Sequence, residues 1–218
     1  MYIKKIIYLI SLGLFVACQP QTYEEKNPSD SVERALVDST EQPFLISCEG
    51  VGKLSLEANL KEIKRTFGEK YVTTQENRIT RQMQTLVTDT SGHIRFIINW
   101  REAQVGEVID FVEIRDSTHA YTFENGIQVG ATLQEISKRN GTPIPFFGFG
   151  WDYGGTIAVK EMNGKILTDC PCFGGVLGRE VFKQTLLGDQ LFYSDDPSVQ
   201  AEKIVLKKIL LYHRTTAE

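Results

Sequence analysis

The stretch Ala58-Asn59-Leu60-Lys61-Glu62-Ile63-Lys64-Arg65-Thr66-Phe67-Gly68 returns, 73 residues on, as Ala131-Thr132-Leu133-Gln134-Glu135-Ile136-Ser137-Lys138-Arg139-Asn140-Gly141. The alignment has no gap, and Ala, Leu, Glu, Ile and Gly coincide at five of eleven positions. Each shared residue has a physical use. Asn59 and Thr132 can cap a helix start, and Glu62 and Glu135, three positions on, can complete a capping box. Leu60 with Ile63, and Leu133 with Ile136, place apolar groups on one helix face. Gly68 and Gly141 supply the left-handed stop. Helices of about two to three turns are marginal alone, so each must dock on something. The leads Leu54-Ser55-Leu56 and Ile127-Gln128-Val129 match as well, which points to duplication of a block.

Strand-like sequence follows each helix. Arg78 to Thr88 is rich in Thr, Val and Ile, and in His93 to Trp100 the residues Ile94, Phe96, Ile98 and Trp100 share one face. Glu107 to Arg115 is also β-rich, though Asp110 interrupts its face, and turn signals at Asp89 to Gly92 and Glu102 to Gly106 join these segments into an antiparallel meander. In the second block, Thr156 to Met162 and Lys165 to Thr168 flank Asn163-Gly164, the strongest short hairpin signal in the chain. The Gly-rich run Phe173 to Gly178 precedes a further strand candidate, Glu180 to Leu187. In Lys203 to Tyr212, Val205, Leu206, Ile209 and Leu210 suit a helix face and Ile204, Leu206 and Ile209 a closing strand, and the strand is the reading taken. The expected fold class is α+β: two tandem modules, residues 48–123 and 124–214, each a short capped helix packed on an antiparallel sheet.

Residues 1–17 carry an address. Lys4 and Lys5 precede the apolar run Ile6 to Val16, which is too short to span a membrane and reads as a signal peptide. The run Phe15-Val16-Ala17-Cys18 resembles the lipobox of bacterial lipoproteins, with Phe15 departing from the usual Leu. That resemblance implies cleavage before Cys18, acyl chains on it, and a protein lipid-anchored in the cell envelope, at the outer membrane. Residues 18–47 form an acidic linker, with Glu24, Glu25, Asp30, Glu33, Asp38 and Glu41 against Lys26 and Arg34.

The 218 residues are 41% hydrophobic and 24% charged, ordinary globular composition that excludes collagen-like or wholly disordered chains. The formal charge of −4 falls to −6 when Lys4 and Lys5 leave with the signal peptide, because 22 basic residues then face 28 acidic ones. Such a chain has no basic surplus for nucleic acid. The body also resembles the tandem-repeat fold of β-lactamase inhibitor proteins and of small lipoproteins that assist outer-membrane protein assembly. The match runs from Ile127 through Gly130-Ala131-Thr132 to Gly141-Thr142-Pro143, while the first copy has Glu57 in place of Gly130 and lacks the Thr-Pro. The resemblance implies a fold and no particular partner.

Phe146-Phe147-Gly148-Phe149-Gly150-Trp151-Asp152-Tyr153-Gly154-Gly155 is the most unusual stretch of the body. Aromatic rings offer large contact area at low entropic cost, and glycines let a ligand approach the backbone. Phe147, Phe149, Trp151, Asp152 and Tyr153 are the candidate ligand- or partner-binding residues, and the competing reading is a loop folded back to plug the core. With Cys18 lipidated, Cys48, Cys170 and Cys172 remain, and outside the cytoplasm a bridge from Cys48 to Cys170 or Cys172 is expected. A Cys170–Cys172 bridge across Pro171 would be a redox device. No fourth ligand for zinc and no base for a catalytic thiol stand nearby in sequence, so no metal or cofactor is expected. His93, His119 and His213 read as solvated or edge positions, and Asp195-Asp196-Pro197 as a turn or helix start. The leading functional expectation is a non-catalytic binding or accessory module for an envelope protein or a glycan. The alternative is a periplasm-facing enzyme or redox protein using Asp152, Asp110 or the Cys170/Cys172 pair.

Overall fold

A computed structural model describes residues 44–213 apart from Asp116, His119, Phe182 and Lys183. The signal peptide, Cys18, most of the acidic linker and His119 lie outside the described residues. The described residues open with three short strands, β1 (Leu45–Ser47), β2 (Gly50–Val51) and β3 (Leu54–Ser55), so β1 falls in the last three residues of the segment expected to be linker. Helix α1 (Leu60–Phe67) comes next, then the meander β4 (Val72–Glu76), β5 (Met83–Thr88), β6 (Ile94–Trp100) and β7 (Ile109–Ile114). The second half runs β8 (Thr122–Phe123), α2 (Leu133–Asn140), β9 (Pro145–Phe147), α3 (Lys165–Asp169) and β10 (Phe173–Arg179). It ends with β11 (Leu191–Tyr193), α4 (Pro197–Gln200) and β12 (Ile204–Tyr212).

The two eleven-residue segments occupy matching settings. In α1 the Asn59 side chain accepts from the Glu62 amide while the Asn59 amide donates to Glu62 Oε2, both at 3.1 Å. In α2 the Thr132 hydroxyl accepts from the Glu135 amide at 3.2 Å and the Thr132 amide donates to Glu135 Oε2 at 2.8 Å. Ile63, Leu133 and Ile136 are buried in one shared core. The helix ends differ. Gly141 is left-handed as expected, whereas Gly68 has φ 89° but ψ 130°, which sends the chain on into a tight turn at Glu69–Tyr71.

Both halves feed one six-stranded sheet, in the order β10-β12-β7-β6-β5-β4. The halves join through their last strands: β12 pairs antiparallel with β7, Ile209 opposite Ile114 and Leu211 opposite Val112. The leads meet too, β1 running parallel to β8 with Ile46 opposite Phe123. The entry to α2 is stitched to β12, where the Leu206 amide donates to the Ala131 carbonyl at 2.8 Å. Phe96, Ile98, Val112, Ile114, Leu206, Ile209 and Leu211 supply the sheet's core face. Along β6 the alternation holds inward, but Ile94 is exposed at its start, and Ile97 is buried on the opposite face.

Three expectations about individual strands are corrected. Asn163-Gly164 does not close a hairpin, because Thr156 to Met162 makes only isolated bridges at Thr156 and Ile157 and the segment after the turn is α3 rather than a strand. The cause is Asn140, whose buried side chain donates to the Asn163 carbonyl at 2.6 Å and accepts from the Ile166 amide at 3.1 Å. The turn is thereby captured as a helix start against the end of α2. The Gly-rich run is itself strand β10, and Glu180 to Leu187 forms no strand among its described residues. Glycine is needed in β10 because neighbours lie on it: a Cβ at Gly174 would meet Tyr212 Cε2 at 2.6 Å, and one at Gly175 would meet Leu206 Cδ1 at 2.8 Å. In the first half, Asn77 to Gln82 is a turn held by Asn77 Oδ1, so β5 starts only at Met83 rather than at Arg78.

Candidate functional site

The aromatic loop divides between the two readings of it. Phe146 is fully buried and Phe149 nearly so, their rings 5.8 Å apart, with Phe192 of β11 6.0 Å from Phe146. This half plugs the core. Trp151, Asp152 and Tyr153 stand on the surface, with Trp151 37% and Tyr153 64% exposed. Half-buried Phe147 connects the two sets, its ring edge-on to Trp151 at 5.8 Å, and Trp151 is edge-on to Tyr153 at 5.3 Å. The Trp151 indole N–H donates to the Gly148 carbonyl at 2.8 Å, which fixes the ring against its own loop.

The loop's base is anchored along the outer edge of the sheet. The Leu177 amide of β10 donates to the Gly155 carbonyl at 2.7 Å, and the Ile157 amide donates to the Gly175 carbonyl at 2.9 Å. Gly155 has φ +79°, and a Cβ there would sit 2.3 Å from the Leu177 carbonyl oxygen, so only glycine permits this approach. Beneath the loop, the Arg179 guanidinium lies 4.5 Å from the centre of the Phe149 ring and donates to Glu202 Oε2 at 3.3 Å, both side chains being 5% exposed. Glu202 is also held by the Thr185 hydroxyl. A buried charge pair costs heavily when broken, so this arrangement fixes Phe149 and hence the loop. Sequence reading missed Arg179 and Glu202: they are 23 residues apart, and no local pattern joins them.

The cysteines form a second cluster, at the opposite end of β10 from Arg179. Cys48, after β1, is bridged to Cys172, just ahead of β10. The Cys170–Cys172 pair is thus not closed, and Cys170 is a buried free thiol. Its Sγ lies 3.7 Å from that of Cys48 and 3.5 Å from that of Cys172. A cavity of about 600 Å³ opens beside it, lined by Cys48, Cys170, Glu49, Glu124 and Asp169 among others. Burial, then the charges of Glu49 and Asp169, push the Cys170 thiol up to about 11. Such a thiol is a poor nucleophile at neutral pH. The three sulfurs converge as metal ligands would, but with Cys48 and Cys172 oxidised only one can bind as thiolate.

The remaining candidates are dispersed. Asp110 is exposed on β7, and its backbone carbonyl accepts from the His213 amide at 2.9 Å. His213 is less free than its position near the chain end implies: Nδ1 donates to the Ile109 carbonyl at 3.0 Å, and Nε2 lies 2.8 Å from Glu57 Oε1. His93 is exposed beside Asp89. Asp196 precedes α4, where Pro197 occupies the first turn, and the Asp196 carboxylate accepts from the Tyr193 amide at 2.9 Å rather than capping the helix. Comparison of the chain with protein-family models, with curated proteins and with solved structures found no match.

Proposed function

We propose that the protein is a cell-envelope lipoprotein, anchored at the outer membrane through Cys18, whose folded body is a non-catalytic binding or accessory module for an envelope protein or a glycan. The observation that carries this reading is the exposed Trp151-Asp152-Tyr153 tip on a loop whose base is locked to the sheet. Aromatic anchors dominate recognition because they bury much area while losing few rotors. A ring already held by its own hydrogen bond loses still less on binding. The anchor rests on the Phe15-Val16-Ala17-Cys18 run, and the Cys48–Cys172 bridge accords with an oxidising compartment.

The test compares wild type with Trp151→Ala and Tyr153→Ala, each checked for an unchanged circular dichroism spectrum. Capture from solubilised envelopes and binding to a glycan panel are expected to weaken about tenfold or more, the scale of a lost aromatic anchor. Identical partner and glycan profiles for all three proteins would rule the loop out as the binding surface. In the same cells, palmitate labelling should mark wild type and not Cys18→Ala.

A further inference from the structure

The cluster around Cys170 has a use that neither the fold nor the aromatic loop requires. A crosslink needs two sulfurs, and three are gathered here. Cys48 comes from the turn after β1, and Cys170 and Cys172 come from the segment between α3 and β10, separated only by Pro171. Cys170 Sγ is almost equally far from the two bridged sulfurs, at 3.7 and 3.5 Å, and so lies beside the disulfide rather than on its extension. Exchange requires attack along that extension. A side-chain rotation therefore has to precede reaction, and at these distances it has only a short way to carry the sulfur.

We propose that Cys48 alternates its bridge between Cys172 and Cys170, making the three cysteines an exchange site that presents or withdraws a free thiol at the cavity beside β1. Cys170 first loses its proton to solvent. Its thiolate forms a bond to Cys48 Sγ while the Cys48–Cys172 bond breaks, and the electron pair leaves on Cys172 Sγ, which then takes up a proton. The isomerisation is redox-neutral and needs no outside oxidant or reductant. Its effect depends on where each sulfur sits. Cys48 and Cys170 line the cavity, whereas Cys172 does not and is 1% exposed. With Cys48 bonded to Cys172, the cavity holds a thiol. With Cys48 bonded to Cys170, the thiol is on buried Cys172, away from the cavity. Glu49, Glu124 and Asp169 surround the opening, so the reagents that reach the presented thiol are neutral or cationic rather than anionic.

The test uses the folded wild-type protein at about pH 9, where thiolate begins to form, with no added thiol. Samples are quenched in acid, blocked with a maleimide and digested without reduction, and fragmentation then assigns the label to Cys170 or Cys172. Fresh protein is expected to carry it on Cys170, and incubated protein to carry a growing share on Cys172 with unchanged tryptophan emission. Label confined to Cys170 throughout would overturn the proposal. As a second arm, folded Cys172→Ser should form a Cys48–Cys170 bridge and lose all titratable thiol on mild oxidation. Two persistent thiols in that folded variant would also overturn it. Should Cys172→Ser fail to fold, the wild-type label alone decides.

Discussion

Cys170 lies under the cavity beside β1, and burial together with Glu49 and Asp169 favours its neutral form, holding the proton to about 11. The folded chain keeps this proton to higher pH than an unfolded one, so the associated stability is present at neutral pH and is lost as pH rises towards 11. Alkylation by a neutral reagent should therefore be slow at neutral pH and climb about tenfold per pH unit, levelling off near 11 rather than near 8.5. A stopped-time alkylation series read by mass spectrometry checks this, and a plateau near about 8.5 would mean that burial and the charges of Glu49 and Asp169 do not act on the thiol as described. Trp151 shows the complementary case of a residue whose exposure is arranged rather than accidental. Its indole N–H is satisfied within the loop, so its exposed ring face is apolar surface with no polar group left to pair.

The capped helices are the elements that sequence specified best, because their chemistry is local. Asn59 with Glu62 and Thr132 with Glu135 form complete capping boxes, so removing one cap should act on its own helix. Thr132→Ala is expected to cost about 1 kcal/mol, within a range of roughly 0.5–2, and denaturant titration measures it. No change in midpoint would show that the β12 contacts at Ala131 hold α2 without its cap. Three strands of the meander were legible from the alternation in β6 and the β-rich runs beside it, whereas β4 was not, and the run that forms β12 suited a helix face as well as a strand. The hidden part was non-local. Asn163-Gly164 carries a true turn signal, but Asn140, 23 residues away, decides that a helix and not a strand comes after it. β10 was unreadable as a strand because its glycines answer to Tyr212, Leu206 and Lys207 lying over them. The aromatic loop could be found from sequence, yet which of its rings face out depends on Arg179, Glu202 and β11 packed behind it.

At the scale of the whole molecule, the duplication does not produce two independent bodies. β7 and β12 pair as neighbours, β1 pairs with β8, and the Cys48–Cys172 bridge ties the start of the first half to the second across 124 residues. This continuity gives the Trp151-Asp152-Tyr153 tip a rigid platform at one edge of a six-stranded sheet, with the loop's base covering the exposed side of β10. The most direct measurement is to place a photo-crosslinking residue at Tyr153 in intact cells, with Lys61 on α1 as the control position. If the tip is the docking surface, position 153 gives discrete crosslinked adducts that are absent from position 61 and reduced by Trp151→Ala. Equal adducts from both positions, or none from 153, would contradict it.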